Sequence, residues 1–434
     1  MSATAELKGA IFLKNTLILK GNIIYAASGS ELTAVENGYL VSEAGVVAGV
    51  FPQLPERYAG SEVRDYGDSL IIPGLVDLHL HAPQFAIRGM GMDLELIPWL
   101  NQYAFAEEKK YSDLEYAATA YGVFCAALKS GVTTRAAIFA SLHVPATEIL
   151  MDMLEQSGLV TYVGKVNMDR NSPDYLVEST RDSISDTESW VRRSLETYRN
   201  TKPIITPRFV PSCTAELMTA LGEIAARYNL PVQSHLSENV NEIKWVKELH
   251  PDCETYSDVY DRCGLFGQQP TIMAHCVYLT DYEMDLVRER GVLAVHCPQS
   301  NINISSGIAP VRRMLDKGVK MGLGTDVAGG FSISMFRAVA DAIQASKMYA
   351  VLVDRSQAPL TLAEAFYIAT KGGGSFWGSV GSFEPGYEMD AVVIDDSDII
   401  GNSPLTLAQR LERAVHLSDD RHVKAKYVRG EQVL

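Results

Sequence analysis

His79, His81, His235, His275 and Asp326 each stand at the end of a short apolar run, and the runs lie far apart in the chain. Runs such as Leu75–His81, Pro231–His235, Thr271–His275 and Lys320–Asp326 have the length of strands buried on both faces. Polar residues that repeatedly end such runs need a fold that brings the ends together. The (β/α)₈ barrel does so, because its site residues come from the C-terminal ends of different parallel strands. His79 and His81 are two apart, so both side chains leave one face of a strand. Imidazole nitrogens with one carboxylate suit a divalent transition metal, zinc or Fe²⁺.

The remaining pattern fits that architecture. Val132–Phe139, Thr161–Val166, Ile204–Phe209 and Leu293–His296 complete a set of eight strand-like runs. Amphipathic segments such as Asp113–Lys129, Ala215–Tyr228 and Asp281–Arg290 lie between them, the alternation of a parallel sheet. Gly131, Gly158, Gly291 and Gly318 follow helical patterns, where a C-terminal glycine is expected. The catalytic barrel is expected over 73–380. Both flanks read differently. Leu17–Leu19, Ile23–Tyr25, Tyr39–Val41 and Val46–Ala48 precede the barrel; Ala391–Ile394 and a hairpin at Arg429-Gly430 follow it. Neither flank can bury a core alone, so 1–72 and 381–434 are expected to build one small β-sandwich domain.

Of the nine histidines, five sit at strand ends once His296 is included. His296 is expected to support the ligands from behind. His143 reads as a loop residue, and His250, His416 and His422 as surface residues. Glu238 lies three residues past His235, just beyond a strand end. Beside a metal it can take a proton from an activated water and return it to the substrate.

Composition narrows the partners and the compartment. Lys+Arg 38 against Asp+Glu 53 gives a net charge of −15, which disfavours nucleic acid as a partner. The first apolar patch, Ala10–Leu13, is too short for a signal peptide's apolar region. No apolar stretch reaches the roughly 18 residues of a membrane span. The six cysteines form no CxxC pair, as expected of buried thiols in a reducing cytoplasm.

Pro73-Gly74-Leu75-Val76-Asp77-Leu78-His79-Leu80-His81 resembles the first-strand motif of the amidohydrolase superfamily. His235-Leu236-Ser237-Glu238, His296-Cys297-Pro298-Gln299-Ser300-Asn301 and Thr325-Asp326-Val327-Ala328-Gly329-Gly330 resemble, more narrowly, the guanine deaminases within it. So does Thr206-Pro207-Arg208-Phe209. The resemblance implies one zinc per subunit, held by His79, His81, His235, His275 and Asp326. Arg208 on the fourth strand and Lys165 on the third favour a mononuclear site over relatives with a bridging lysine on the fourth strand. Gln84, Arg208 and Phe209 would hold a purine, and Trp99 would add a pocket wall. The implied reaction is hydrolytic deamination of guanine to xanthine. An activated hydroxide attacks C2, Glu238 shuttles the proton, and His275 and Asp326 orient the nucleophile. The family also implies a homodimer that acts on a small molecule, with no membrane and no nucleic acid.

Two alternatives remain at this level. One is a deaminase or chlorohydrolase of the same superfamily acting on an aminotriazine or another aminopurine. The metal ligands cannot separate these substrates, since they only prepare the nucleophile. The other is a non-catalytic barrel scaffold, disfavoured because all five ligand positions and Glu238 are present.

Overall fold

The computed structural model describes residues 16–399, 401 and 403–434. The apolar patch Ala10–Leu13 lies outside the described residues. The N-terminal flank forms β1 (Thr16–Tyr25), β2 (Thr33–Glu43), β3 (Val46–Phe51) and β4 (Val63–Pro73). The centre supplies β5 (Leu75–His81), β6 (Thr133–Phe139), β7 (Val160–Gly164), β8 (Val166–Asn167), β9 (Thr201–Pro203) and β10 (Thr206–Pro207). It continues with β11 (Val232–Leu236), β12 (Thr271–His275), β13 (Leu293–His296) and β14 (Met321–Leu323). The C-terminal flank adds β15 (Ala391–Ile394), β16 (Val423–Val428) and β17 (Glu431–Gln432).

The central strands are parallel, in the orders β5-β6-β7-β9 and β11-β12-β13-β14. Backbone bonds join the two sets. Ile205 N donates to Pro231 O and Gln233 N to Ile205 O, both at 2.9 Å. At the other seam His81 N donates to Val327 O at 2.8 Å and Asp326 N to His79 O at 2.7 Å. The strands therefore close on themselves as the barrel that the sequence pattern requires. Gly324 permits the second seam: a Cβ there would lie 2.7 Å from Cβ of His79.

Two expected strands are broken. Thr161–Val166 divides into β7 and β8, and Ile204–Phe209 is reduced to β10, with β9 before it. Pro203 and Pro207 lack the N–H that a continuous ladder needs. Asp326 lies beyond the end of β14, in a left-handed turn at φ 46°. Helices Leu114–Ser130, Ala215–Tyr228 and Asp281–Arg290 match the expected amphipathic segments. Gly158, Gly291 and Gly318 take positive φ after their helices, but Gly131 is extended at φ −77°.

Strands from both flanks share one sheet, ordered β17-β16-β15-β4-β1-β2-β3. Its far edge curls back, so Val47 N donates to Tyr387 O at 2.8 Å and Gly386 N to Val47 O at 2.9 Å. Leu19, Leu40, Ile71, Val393, Ala425 and Tyr427 pack together inside the curl of this single seven-stranded sheet. Leu17–Leu19 and Ile23–Tyr25, read as separate strands, are one strand with an irregularity at Gly21–Ile23. β4 went unread; its apolar half, Leu70–Ile72, is buried in the middle of this sheet.

The sheet is fastened to the barrel by Arg135 on β6, which is fully buried. Its Nε donates to Asp390 at 2.6 Å and its Nη2 to Glu388 at 2.7 Å. No helix among the described residues is long and apolar enough to cross a membrane.

Candidate active site

The strand ends converge as expected. The ligand atoms of His79, His235 and His275 lie within 4.8 Å of one another, and so do those of His79, His81 and Asp326. Nε2 of His79 lies 3.2 Å from Oδ1 of Asp326, and Nε2 of His81 lies 3.5 Å from the same oxygen. His275 and Asp326 both take positive φ, 73° and 46°, so the chain turns sharply where each ligand is presented.

Partners behind the rings fix their orientation. Nδ1 of His235 donates to the Arg208 carbonyl at 2.6 Å, and Nδ1 of His275 donates to Oδ1 of Asn301 at 2.9 Å. Each then turns a bare Nε2 inward. Nε2 of His81 and Nε2 of His235 are only 3.2 Å apart, and the buried Nε2 of His79 has no hydrogen-bond partner. Converging lone pairs beside a carboxylate repel one another unless a cation lies between them. The donor set therefore fits a divalent metal. Burial keeps the imidazoles of His79, His81 and His235 below their ordinary range and so in the neutral, ligating form. Burial also opposes ionisation of Asp326. His79, His275 and His81 outweigh it and hold the carboxyl below the usual range.

Glu238 faces the same cluster, with its Oε2 3.5 Å from Nε2 of His275. Burial, then the charge of Asp326, pushes its carboxyl up to about 8, opposed by a 3.0 Å hydrogen bond from Ser306. The loop is held by Glu242, which accepts from the backbone N–H of Glu238 at 3.0 Å and of Asn239 at 3.2 Å.

A cavity opens onto this centre. His81, His235, Glu238, His275 and Asp326 form its floor, and Gln84, Trp99, Arg208 and Phe209 line its walls. Leu96, Leu100 and Ile304, which the sequence did not single out, add apolar surface. The guanidinium of Arg208 is paired with Glu108, Nη1 to Oε2 at 2.5 Å and Nη2 to Oε1 at 2.9 Å. Arg208 is thus both a pocket residue and half of an ion pair. Trp99 is anchored by its indole N–H, which donates to Met90 O at 3.0 Å.

The chain belongs to the guanine deaminase family of amidohydrolases. The amidohydrolase family model matches residues 70–433. The guanine deaminase of Dictyostelium discoideum is 40% identical over 86% of this chain and 84% of its own. The human guanine deaminase is 39% identical, over 86% and 85%. The crystal structure of a guanine deaminase from C. acetobutylicum, with guanine bound in its active site, superposes with a TM-score of 0.95 at 46% identity. The match covers 97% of this chain and all of that one.

The other histidines and Lys165 lie outside this cluster. His296 is buried behind it, and burial followed by His275 lowers its imidazole to about 3. Lys165 is buried and spent on Glu178, its Nζ 2.6 Å from Oε1. His143 precedes helix Val144–Ser157 and stays off the cavity lining. His422 corrects its surface reading. It is buried, accepts from Asp419 N at 3.0 Å and donates to Asp398 at 3.1 Å, locking the turn before β16. Sequence reasoning also passed over Asp77. Its carboxylate accepts from Thr325 N at 3.0 Å and Thr325 Oγ1 at 2.6 Å, tying β5 to the Asp326 turn.

Proposed function

We propose that this protein catalyses the hydrolytic deamination of guanine to xanthine and ammonia. The observation that carries the reading is one cavity whose floor is the histidine–aspartate cluster with Glu238 and whose walls are Gln84, Arg208, Phe209 and Trp99. Guanine deaminases at 39–40% identity over most of the chain support it. His79, His81, His235, His275 and Asp326 would hold a single zinc; Lys165, bound to Glu178, is not available as a bridge to a second metal. When bound, such a metal supplies Lewis acidity and makes a water nucleophilic at neutral pH.

The chain's own residues do the rest. Arg208 and Gln84 donate to the carbonyl and ring nitrogens of the base, and Phe209 packs against its plane. Glu238 accepts the proton of the attacking water. It delivers that proton to a ring nitrogen, then carries the remaining hydroxyl proton to the amine as the C2–N bond breaks, so one water replaces one ammonia with no other reactant. His275 and Asp326, which flank Glu238, keep the nucleophile oriented. In this reading 1–72 and 381–434 form a composite β domain supporting the barrel of 73–380.

The protein works in the cytoplasm on a small purine, as a homodimer, away from membranes and nucleic acid. Six free, buried cysteines are consistent with a reducing compartment. Incubation of the purified enzyme with guanine, other aminopurines and aminotriazines, with ammonia assayed, tests the reading. Guanine should be the preferred substrate by kcat/KM. A faster aminotriazine or 6-aminopurine would displace it. A sedimentation mass of one chain would remove the dimer.

A further inference from the structure

We propose that Glu108 is a positioning residue that sets the hydrogen-bond polarity of the base-binding wall and so selects 6-oxopurines over 6-aminopurines. The inference rests on the deaminase reading above and deepens it. Glu108 is buried, 4% exposed, and lies behind the cavity lining. It sits at the end of a continuous helical stretch made of Leu96–Trp99, Leu100–Ala104 and Phe105–Glu108. The same stretch puts Leu96, Trp99 and Leu100 on the cavity wall.

Both oxygens of Glu108 are committed. Oε2 accepts from Nη1 of Arg208 at 2.5 Å, while Oε1 accepts from Nη2 of Arg208 at 2.9 Å and from Nε2 of Gln84 at 2.8 Å. The guanidinium also lies 5.0 Å from the ring centroid of Phe105, which adds a second constraint on its plane. Gln84 is held at its other end, where Oε1 accepts from Ala328 N at 3.2 Å. Turning the Gln84 amide over would set its oxygen against the Glu108 carboxylate and its NH₂ against the Ala328 N–H. Both contacts would then be repulsive, so Glu108 and Ala328 together dictate which end of Gln84 is the donor.

The consequence is a wall with donors to spare. An arginine carries five N–H groups and a glutamine amide two. Glu108 uses two from Arg208 and one from Gln84. Nη1 of Arg208 also reaches Sδ of Met168 at 4.0 Å, and the N–H groups that then remain on these two cavity-lining residues can serve a ligand. A base edge bearing a carbonyl and an unprotonated ring nitrogen matches them. An amino group at C6 would bring N–H against N–H, and a buried mismatch of that kind is strongly discriminated against.

The test compares guanine with 2,6-diaminopurine, which has the same C2 amino group but an amino group in place of the C6 carbonyl. Ammonia release is measured for the wild type, Glu108→Gln and Glu108→Asp, with metal content and melting temperature alongside. In Glu108→Gln one acceptor oxygen becomes a donor, so Gln84 is free to turn over. The loss should fall mainly on KM for guanine, at about tenfold or more. The kcat/KM ratio of guanine over 2,6-diaminopurine should fall by at least about tenfold, on the scale of a single lost polar discrimination. Glu108→Asp keeps both acceptors on a shorter arm and should recover part of the ratio; it also serves if the glutamine variant does not fold. An unchanged ratio in either folded variant, or a fall in kcat with KM unmoved, overturns the inference. Guanine left intact by the wild type sinks the deaminase reading itself, and that result is read before any variant is made.

Discussion

The backbone carbonyl of Arg208 accepts a 2.6 Å hydrogen bond from Nδ1 of His235, while the Arg208 side chain lines the substrate cavity. One residue therefore holds the His235 ring through its backbone and lines the cavity through its side chain. The two roles separate under mutation, because a side-chain truncation leaves the carbonyl in place.

Arg208→Ala should keep its metal and lose its substrate. Charged hydrogen bonds are worth about 1.5–3 kcal/mol each, so kcat/KM for guanine should fall by roughly 10- to 150-fold, chiefly through KM. The truncation also strands the buried carboxylate of Glu108, and breaking a buried pair costs about 3–5 kcal/mol. A lower denaturation midpoint should accompany full metal content by elemental analysis. Metal loss with KM unchanged would remove Arg208 from the pocket.

Glu238→Gln addresses the proton. The substitution preserves shape, and Ser306 can still donate to the remaining carbonyl oxygen. Removing a positioned acid/base group typically costs about 10²–10⁴ in rate. We expect kcat to fall by that order with metal content and melting temperature near wild type. Near-normal turnover would assign the proton transfer to another group.

Much of this site could be read from the chain because its ligands end strands. A histidine at the end of a run buried on both faces is conspicuous, so His79, His81, His235 and His275 could be picked out. What stayed hidden acts through partners that are remote in sequence. Glu108 stands in Glu107-Glu108-Lys109-Lys110, which reads as a solvated helix face, yet Glu107 and Glu108 are 3% and 4% exposed. Their burial is decided by Tyr116, which bonds Glu107, and by Arg208, 100 positions downstream of Glu108. Asp77 lies within the first-strand motif, but its role depends on Thr325, just past the end of β14. β4 was passed over because half of it, Val63–Asp68, is polar and partly exposed, so it lacks the clean alternation of an ordinary strand.

Metal removal provides a third test. Dialysis against a strong chelator should abolish ammonia release. Zinc should restore it, with Fe²⁺ as the alternative. Loss of the ion also removes the binding free energy that it contributes to the folded state, so the apo protein should melt at a lower temperature. His79→Ala should mimic the chelated protein and resist rescue, since His79 belongs to both ligand groups. Full activity in metal-free protein would contradict the assignment of the cluster.

Arg135 tests how the β domain is joined to the barrel. Its side chain is fully buried between Asp390 and Glu388, at 2.6 and 2.7 Å. Glu388 has a second partner in Arg429, but no other side chain among the described residues pairs with the buried carboxylate of Asp390. Burial opposes ionisation of Arg135, but Asp390 and Glu388 outweigh it and raise the guanidinium above its ordinary value, so its charge is kept at any working pH. Arg135→Met fills the volume and leaves the Asp390 carboxylate only the backbone N–H of Arg429, 2.9 Å away. The expected cost is about 3–5 kcal/mol in denaturant unfolding, the range for stranding one member of a buried pair. Arg135 is not among the residues lining the catalytic cavity, so KM for guanine should be close to wild type in protein that remains folded. Substituting Asp390→Asn in the Arg135→Met background should recover part of the loss by removing the unpaired charge. If the double variant is no more stable than the single one, the pair is not what fastens the β domain to the barrel.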